Sequence, residues 1–160
     1  MAMTSYIKIT GKTQGELKGD CQVEGKEDLI VVYSIDHKVD IPINPQSGLP
    51  VGQRIHRPFE IVKHKDPSSP LLFQACCTGE HVDTVHNFYR INSEGKEELY
   101  YIITLTDAII VEMQEYNPLN FVVGNEPYKD MESVKFTYSK ISWRHEIAGT
   151  ESEDDFLKPA

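Results

Sequence analysis

The segment Gly52–Gly79 constrains the fold more than any other part of this sequence, because it joins an extended run to a well-marked helix. A proline pushes the residue before it toward extended geometry, so the chain around Pro58 is predicted to be extended and to continue as a strand over Phe59–Lys63. Ser69 predicts a helix N-cap with a proline at the first helical position, and Gly79 predicts the C′ residue. Strand patterns dominate the remaining sequence, so we expect a mostly-β protein with one short α-helix.

The other predicted strands are short apolar runs separated by glycine, proline, asparagine and charged residues. They lie at residues 6–9, 29–39, 81–91, 97–116 and 131–147. The fourth run keeps its alternation through Thr106-Asp107, which predicts a bend or bulge there. The last run changes phase near Ser139-Lys140, which predicts a second bulge. This spacing of strands and turns is typical of a β-sandwich or a β-barrel.

The loop 41–54 is the longest excursion predicted between strands. Its three prolines and two glycines disfavour regular strand pairing. Loops of this length in compact domains are usually functional or disordered. The apolar residues Ile41, Ile43, Leu49 and Val51 favour a loop that docks on another surface.

Length and charge bound the class of protein. A chain of 160 residues is long enough to bury a core without disulfides, and we expect one domain over residues 1–148. Residues 149–160 are predicted to form an acidic, mobile C-terminal tail. The formal net charge of −9 disfavours nucleic-acid and anionic-membrane partners, since both need clustered Lys and Arg.

The segment Met1–Ser5 lacks the basic and apolar parts of a cleaved secretion signal, and no apolar run is long enough to cross a bilayer. We therefore expect synthesis as a soluble cytoplasmic product. A bridge between the adjacent Cys76 and Cys77 would be strained on a helix, so we expect all three cysteines to be reduced.

The sequence lacks the local motifs of catalysis and of cofactor binding. No nucleophile-elbow, phosphate-loop or dinucleotide-binding pattern occurs, and the six histidines show no spacing that presents two metal ligands together. The adjacent Asp154 and Asp155 lie in the tail, where we expect nothing to hold them in a catalytic arrangement. We predict no enzymatic activity, no cofactor and no metal.

Two other function classes remain open on these residues. A monomeric β-barrel that binds a small ligand would need an inward cavity. A β-sandwich metalloenzyme would need His56, His86 and His145 to come together from separate strands. The runs Leu29–Tyr33 and Leu99–Leu105 are apolar on both faces, which core burial combined with contact between protomers would explain. A sandwich with unusually apolar strands is the other explanation.

The order and spacing of several segments resemble the haemolysin-coregulated protein (Hcp) family, whose members build the inner tube of the bacterial type VI secretion machine. The matching segments are Tyr6–Ile9, Gly52–His64, Ser69–Leu71, Thr78–Gly79, Leu99–Ala108 and Val134–Trp143. No single segment is specific, but together they span nearly the whole chain.

The resemblance implies a β-barrel protomer of two packed sheets with one flanking helix. Six copies would close into a homohexameric ring, and rings would stack into a tube. The loop 41–54 would then contact neighbouring subunits or rings, through Ile43, Leu49, Val51 and Arg54.

The resemblance also implies a function and a set of partners. The strand over residues 29–39 would line the lumen, which makes Ser34 and Asp36 candidates for contact with cargo. The ring would carry or chaperone small effectors and be expelled without a cleaved signal. Its partners would be the spike, sheath and baseplate proteins of the secretion machine, and no residue would be catalytic.

Overall fold

A computed structural model describes residues 3–156 of the protein. Within that range the α-helix α1 spans Ser69–Thr78 and a 3₁₀-helix spans Val123–Asn125. The strands are β1 (Ser5–Gly11), β2 (Gly15–Glu16), β3 (Ile30–Val32), β4 (Ser34–Asp36), β5 (Val39–Asp40), β6 (Ile55–His56), β7 (Phe59–His64), β8 (His81–Ile91), β9 (Glu97–Tyr116), β10 (Met131–Thr137), β11 (Lys140–His145) and β12 (Thr150–Asp155). The predicted mostly-β fold with one short α-helix is confirmed.

Ten strands form one antiparallel sheet, and β5 and β6 form a separate two-stranded sheet. The main order is β2-β1-β8-β9-β10-β7-β4, with β3 paired to β1, β11 to β9 and β12 to β11. In the described part of the chain no pairing joins β4 back to β2 or β3. Strand pairing alone therefore does not show the closed form of the predicted β-barrel of two packed sheets. The two ends of the order are nevertheless joined by the chain itself, because β3 on β1 and β4 on β7 are separated only by Tyr33, whose NH donates to Val62 O at 2.9 Å.

The main sheet nevertheless encloses a single apolar core. Ile7 and Ile30 lie near one end of the strand order and Phe59 and Ile61 near the other, yet all four belong to one cluster of fully buried side chains. The sheet therefore wraps around its own apolar face. These side chains occupy the interior, where a ligand-binding barrel would need an open cavity.

The 20-residue strand β9 connects the two halves of the sheet. Its first half pairs with β11 and its second half with β10, while β8 runs beside most of its length. Asp107 adopts a positive φ of 55°, at the position where a bend or bulge is predicted, and the register against β8 shifts between Val82 and Thr84. The predicted irregularity in this strand is confirmed.

The helix α1 begins one residue earlier than its sequence pattern predicts. Its N-cap is Ser68, whose backbone NH donates to Asp66 Oδ1 at 2.9 Å. The hydroxyl of Ser69 instead accepts from Asp66 N at 3.1 Å and donates to Glu132 Oε1 at 2.7 Å. Gly79 ends the helix in the left-handed region with a φ of 70°, as predicted.

Two predicted segments take a different form in the structure. Residues 29–39, predicted as one strand, are divided among β3, β4 and β5, because these pair with three different strands, β1, β7 and β6. Residues 131–147 are divided into β10 and β11, which pair with different halves of β9. The predicted bulge near residue 139 is thus a change of pairing position along the long strand.

The C-terminal tail contributes to the sheet over part of its length. Residues 150–155 form β12, which pairs with β11 from Lys140↔Asp155 to His145↔Thr150. This strand differs from the mobile tail that the sequence predicts; residues 157–160 lie outside the described range. Within residues 3–156 no helix has both the length and the apolar character needed to span a lipid bilayer.

Candidate assembly and cargo surfaces

The loop 41–54, here called the arm, is an ordered projection. Its base is the pair β5–β6, in which Val39 lies opposite His56. Farther out, Ile43 and Pro50 form an isolated antiparallel bridge, and Val51 N donates to Pro42 O at 2.7 Å. The arm is therefore an irregular hairpin held by its own backbone.

A compact turn closes the tip of the arm. The side-chain oxygen of Asn44 accepts from the backbone NH groups of Gln46 and Ser47, at 2.8 and 3.4 Å. Gly48 N donates to Asn44 O at 2.8 Å, and Gly48 adopts a φ of 71° that favours glycine. These local bonds satisfy the backbone without help from the main sheet.

The arm exposes its apolar side chains. Ile43 and Leu49 are 61% and 64% exposed, and Ile41 and Val51 are about half exposed. No charged residue occurs between positions 41 and 53, although charged residues make up 26% of the chain. An uncharged apolar projection of this kind has the composition of an interface core rather than of a solvated loop.

Arg54, the fourth predicted contact residue, lies at the base of the arm and is engaged within the protomer. Its Nε donates to Asp154 Oδ2 at 2.7 Å and its Nη2 to Asp154 Oδ1 at 2.9 Å. Nη2 also donates to the backbone oxygen of Asp155 at 3.1 Å. Arg54 thus fastens the arm to β12, and Asp154, expected to be unsupported, is held in place.

Three further side chains join this junction, and no pattern in the sequence predicts that they meet there. Tyr138 Oη lies 2.7 Å from both His37 Nε2 and His56 Nδ1. His56 Nε2 lies 2.6 Å from Asp154 Oδ2. The bond to Arg54 is the main reason that the pKa of Asp154 falls to about 2, so this carboxylate stays ionised. No local sequence motif identifies this set, because its five members lie on four separate segments of the chain.

Ser34 and Asp36, the predicted cargo residues, lie on β4 at one end of the strand order, and both are exposed. The register places Asp36 opposite Glu60, Glu60 opposite Lys135, and Lys135 opposite Glu112. These four side chains form a charged row across four strands. The two predicted positions thus belong to a wider polar face.

A second exposed apolar segment lies in the loop between β9 and β10. Phe121 and Val123 are 79% and 78% exposed, and Leu119 is 60% exposed. The sequence predicts no contact for this segment. The charge-free run Asn117–Asn125 is the signal that could have identified it.

The three histidines of the metalloenzyme alternative have separate partners. His56 pairs with Asp154, His86 Nε2 lies 2.7 Å from Ser5 Oγ, and His145 Nδ1 accepts from Ala148 N at 3.1 Å. Among residues 3–156, no group of three His, Cys, Asp or Glu side chains is arranged to hold a metal ion.

Comparison with known proteins identifies the family. Residues 6–145 match the family model described as type VI secretion system effector, Hcp. The chain is 41% identical over 169 aligned residues to the “Major exported protein” of Pseudomonas aeruginosa strain PAO1, and the match covers 99% of this chain and 98% of that protein.

Solved structures agree with this match. A crystal structure of an Hcp protein superposes with a TM-score of 0.90 at 31% identity, covering 97% of this chain and 98% of that one. The secreted protein Hcp3 from Pseudomonas aeruginosa superposes with a TM-score of 0.81 at 34% identity, covering 98% and 100%. The family match over residues 6–145 and the nearly full-length similarity to the exported relative show that the chain belongs to the Hcp family of the type VI secretion system.

Proposed function

We propose that this protein is the subunit of a type VI inner tube, in which six copies close into a ring and rings stack. The observation that carries the proposal is the nearly full-length match to the Hcp family. The relative from Pseudomonas aeruginosa is named an exported protein, which supports secretion of this chain as well. Spike, sheath and baseplate proteins of the machine are its proposed partners.

The arm supports the assembly part of this proposal. Ile43, Leu49 and Val51 expose apolar surface that would be costly to leave in water, and contact with another copy would remove it from water. The backbone bonds within the arm hold these side chains in one arrangement, so little conformational entropy remains to be lost on contact. An arm that projects from one patch and docks on a different one makes a heterologous contact, which is the type that closes rings.

The polar face that includes Ser34 and Asp36 supports the cargo part. A lumen has to stay wetted and bind clients weakly enough to release them, which suits a row of charged side chains of both signs better than an apolar wall. In a ring the same face would be presented six times around one client, so weak contacts would combine through effective concentration. The cargo class proposed is a small secreted protein.

Native mass spectrometry and negative-stain electron microscopy test the assembly directly. We expect a species at six times the 18.2 kDa protomer mass and rings with an open centre. A protein that stayed monomeric over a broad range of concentrations would overturn the proposal.

A further inference from the structure

The junction between the arm and β12 contains a hydrogen-bond relay whose direction follows from its chemistry. The carboxylate of Asp154 can only accept, so His56 Nε2 must carry a hydrogen and donate to it. In a neutral imidazole the other nitrogen is then an acceptor, so Tyr138 donates its hydroxyl hydrogen to His56 Nδ1. The oxygen of Tyr138 is left to accept from His37 Nε2–H. With both imidazoles neutral, every bond in the relay is made.

One added proton reverses the relay without breaking it. When His56 is protonated, its Nδ1–H donates to Tyr138, and Tyr138 turns its hydroxyl toward His37 Nε2, which accepts as the other tautomer. The number of bonds is unchanged. The new positive charge lies against Asp154, which remains ionised because Arg54 holds its pKa at about 2.

A second proton cannot be accommodated in the same way. With both His37 and His56 protonated, two N–H groups point at the one oxygen of Tyr138, and its hydroxyl hydrogen has neither acceptor left. Tyr138 is only 7% exposed, so water has little access to replace the lost bond. The two cations also repel each other across the tyrosine.

The surroundings reinforce this limit. The pKa of His37 is lowered mainly by burial and next by the nearby His56, while the carboxylate of Asp36 acts to raise it. The remaining neighbours are aromatic: Phe59 and Trp143 lie 5.3 and 6.1 Å from the His37 ring, centroid to centroid. Phe156 lies 5.4 Å from the His56 ring. On the other side of the junction lie Arg54 and Asp155: the backbone oxygen of Asp155 accepts from Arg54 at 3.1 Å, and the negative charge of its carboxylate also acts on the Arg54 guanidinium.

We propose that this relay makes the junction a proton-operated latch, which fastens the arm to the C-terminal strand with zero or one proton on its two histidines and releases it when the second proton binds. The latch connects β6 to β12 and to the turn between β10 and β11, whereas β12 and that turn are also joined by the pairing of β12 with β11 and by Phe156 N, which donates to Ser139 O at 2.7 Å. Its release would free the base of the arm while the main sheet remains intact.

Histidine NMR and amide hydrogen exchange test the proposal on the full-length protein between pH 8 and pH 4.5. The ring signals of His37 should change in two separated steps, first when its tautomer switches and then when it is itself protonated. Exchange is measured at a concentration where native mass spectrometry shows one oligomeric state. Protection of residues 41–54 and 150–155 should persist through the first step and fall by at least about tenfold at the second.

Two pairs of variants separate the latch from general destabilisation. His37→Phe keeps a ring in place but removes the acceptor to which Tyr138 turns its hydroxyl, so its arm should lose protection in one step, on binding a single proton, whereas the control His145→Gln should show the wild-type two-step behaviour. Asp154→Asn should raise arm exchange about tenfold or more at neutral pH. Its control, Glu153→Gln on the same strand, should not, because Glu153 pairs with Lys140 instead.

The latch would be overturned if both histidines titrated independently, or if the arm kept its protection after both were protonated. Tyr138→Phe provides a check that does not depend on the charged residues: it removes the shared hydroxyl, so the part of the coupling carried by hydrogen bonds should disappear and only the repulsion between the two cations should remain. Urea midpoints of all variants show whether each remains folded. If the arm is released by acid but the rings persist, the arm's proposed role in assembly fails while the latch stands.

Discussion

Lys63 and Glu132 form an ion pair in which both side chains are completely buried. Lys63 Nζ also donates to Asp66 Oδ1 at 2.9 Å, to Ser69 Oγ at 3.1 Å and to the backbone oxygen of His64 at 3.2 Å. The ammonium group is therefore surrounded by acceptors, which offsets the cost of removing it from water. The network ties β7 and β10 to the start of α1.

Breaking this pair should strongly destabilise the fold. Lys63→Met leaves the carboxylate of Glu132 buried without its cation, and we expect a loss of about 3 to 5 kcal/mol in the free energy of unfolding measured in urea. The control Lys135→Met removes a lysine from the exposed pair with Glu112 and should cost no more than about 1 kcal/mol. Equal losses in the two variants would contradict a structural role for the buried network.

His86 should make the protomer sensitive to acid. Burial lowers the pKa of His86 to about 3 from 6.5, so the unfolded chain binds this proton more readily than the folded one. The contribution of His86 to stability is complete above pH 6.5 and declines as the pH falls toward 3. Between pH 7 and pH 4.5 the loss should be about 2 to 3 kcal/mol.

The His86→Leu variant tests this dependence. Its urea midpoint should vary less between pH 7 and pH 4.5 than that of the wild type, even if its stability at pH 7 is lower. His145→Gln should retain the wild-type slope. An unchanged slope in His86→Leu would show that other groups carry the acid dependence.

Charge on the arm should prevent assembly without unfolding the protomer. In the double variant Ile43→Asp/Leu49→Asp, two carboxylates would have to be buried at a contact, whereas in the free protomer both positions are solvent-exposed. We expect a change in unfolding free energy within about 0.5 kcal/mol and loss of the hexamer by native mass spectrometry. Val23→Asp, at another exposed apolar position, is the control that should leave the ring intact. Persistence of the hexamer in the double variant would make the arm an ordinary surface loop.

Changes at the polar face should alter cargo and leave the ring unchanged. Asp36→Lys reverses a charge at the end of the row formed with Glu60 and Lys135, and Ser34→Gln adds bulk beside it. Small secreted proteins that co-purify from a strain with the secretion machine should change in abundance in both variants. Glu24→Lys, in a loop outside this face, is the matched control. Unchanged cargo in both variants would remove Ser34 and Asp36 from the proposed cargo surface.

The sequence pattern predicted an element correctly where the residues that mark that element lie close together in the chain. The helix with its terminal Gly79, the strands β7 and β8, and the bend at Asp107 were all predicted, because alternation, prolines and glycines act over a few residues. The exposed apolar arm was predicted for the same reason. Its prolines and its lack of charge are visible without any partner.

Which strands pair with one another was decided only by the tertiary structure. Residues 29–39 are one apolar run in the sequence, but three strands because each third meets a different neighbour. The pairing positions along β9 likewise divide residues 131–147. Sheet pairing is a long-range property, and alternation within a strand does not specify which strand lies beside it.

The junction between the arm and β12 is the clearest example of the difference between what the sequence and the tertiary structure determine. The sequence by itself determined an uncharged apolar arm, a helix and a set of alternating strands, because these follow from backbone geometry and from apolar periodicity. Only the tertiary structure brought Arg54 to Asp154 across 100 residues and set Tyr138 between two histidines. An acidic tail is predicted to be mobile because charged side chains are well solvated by water. Here residues 150–155 form a strand because the open edge of β11 pairs with them and because Arg54 and Lys140 pair with their carboxylates.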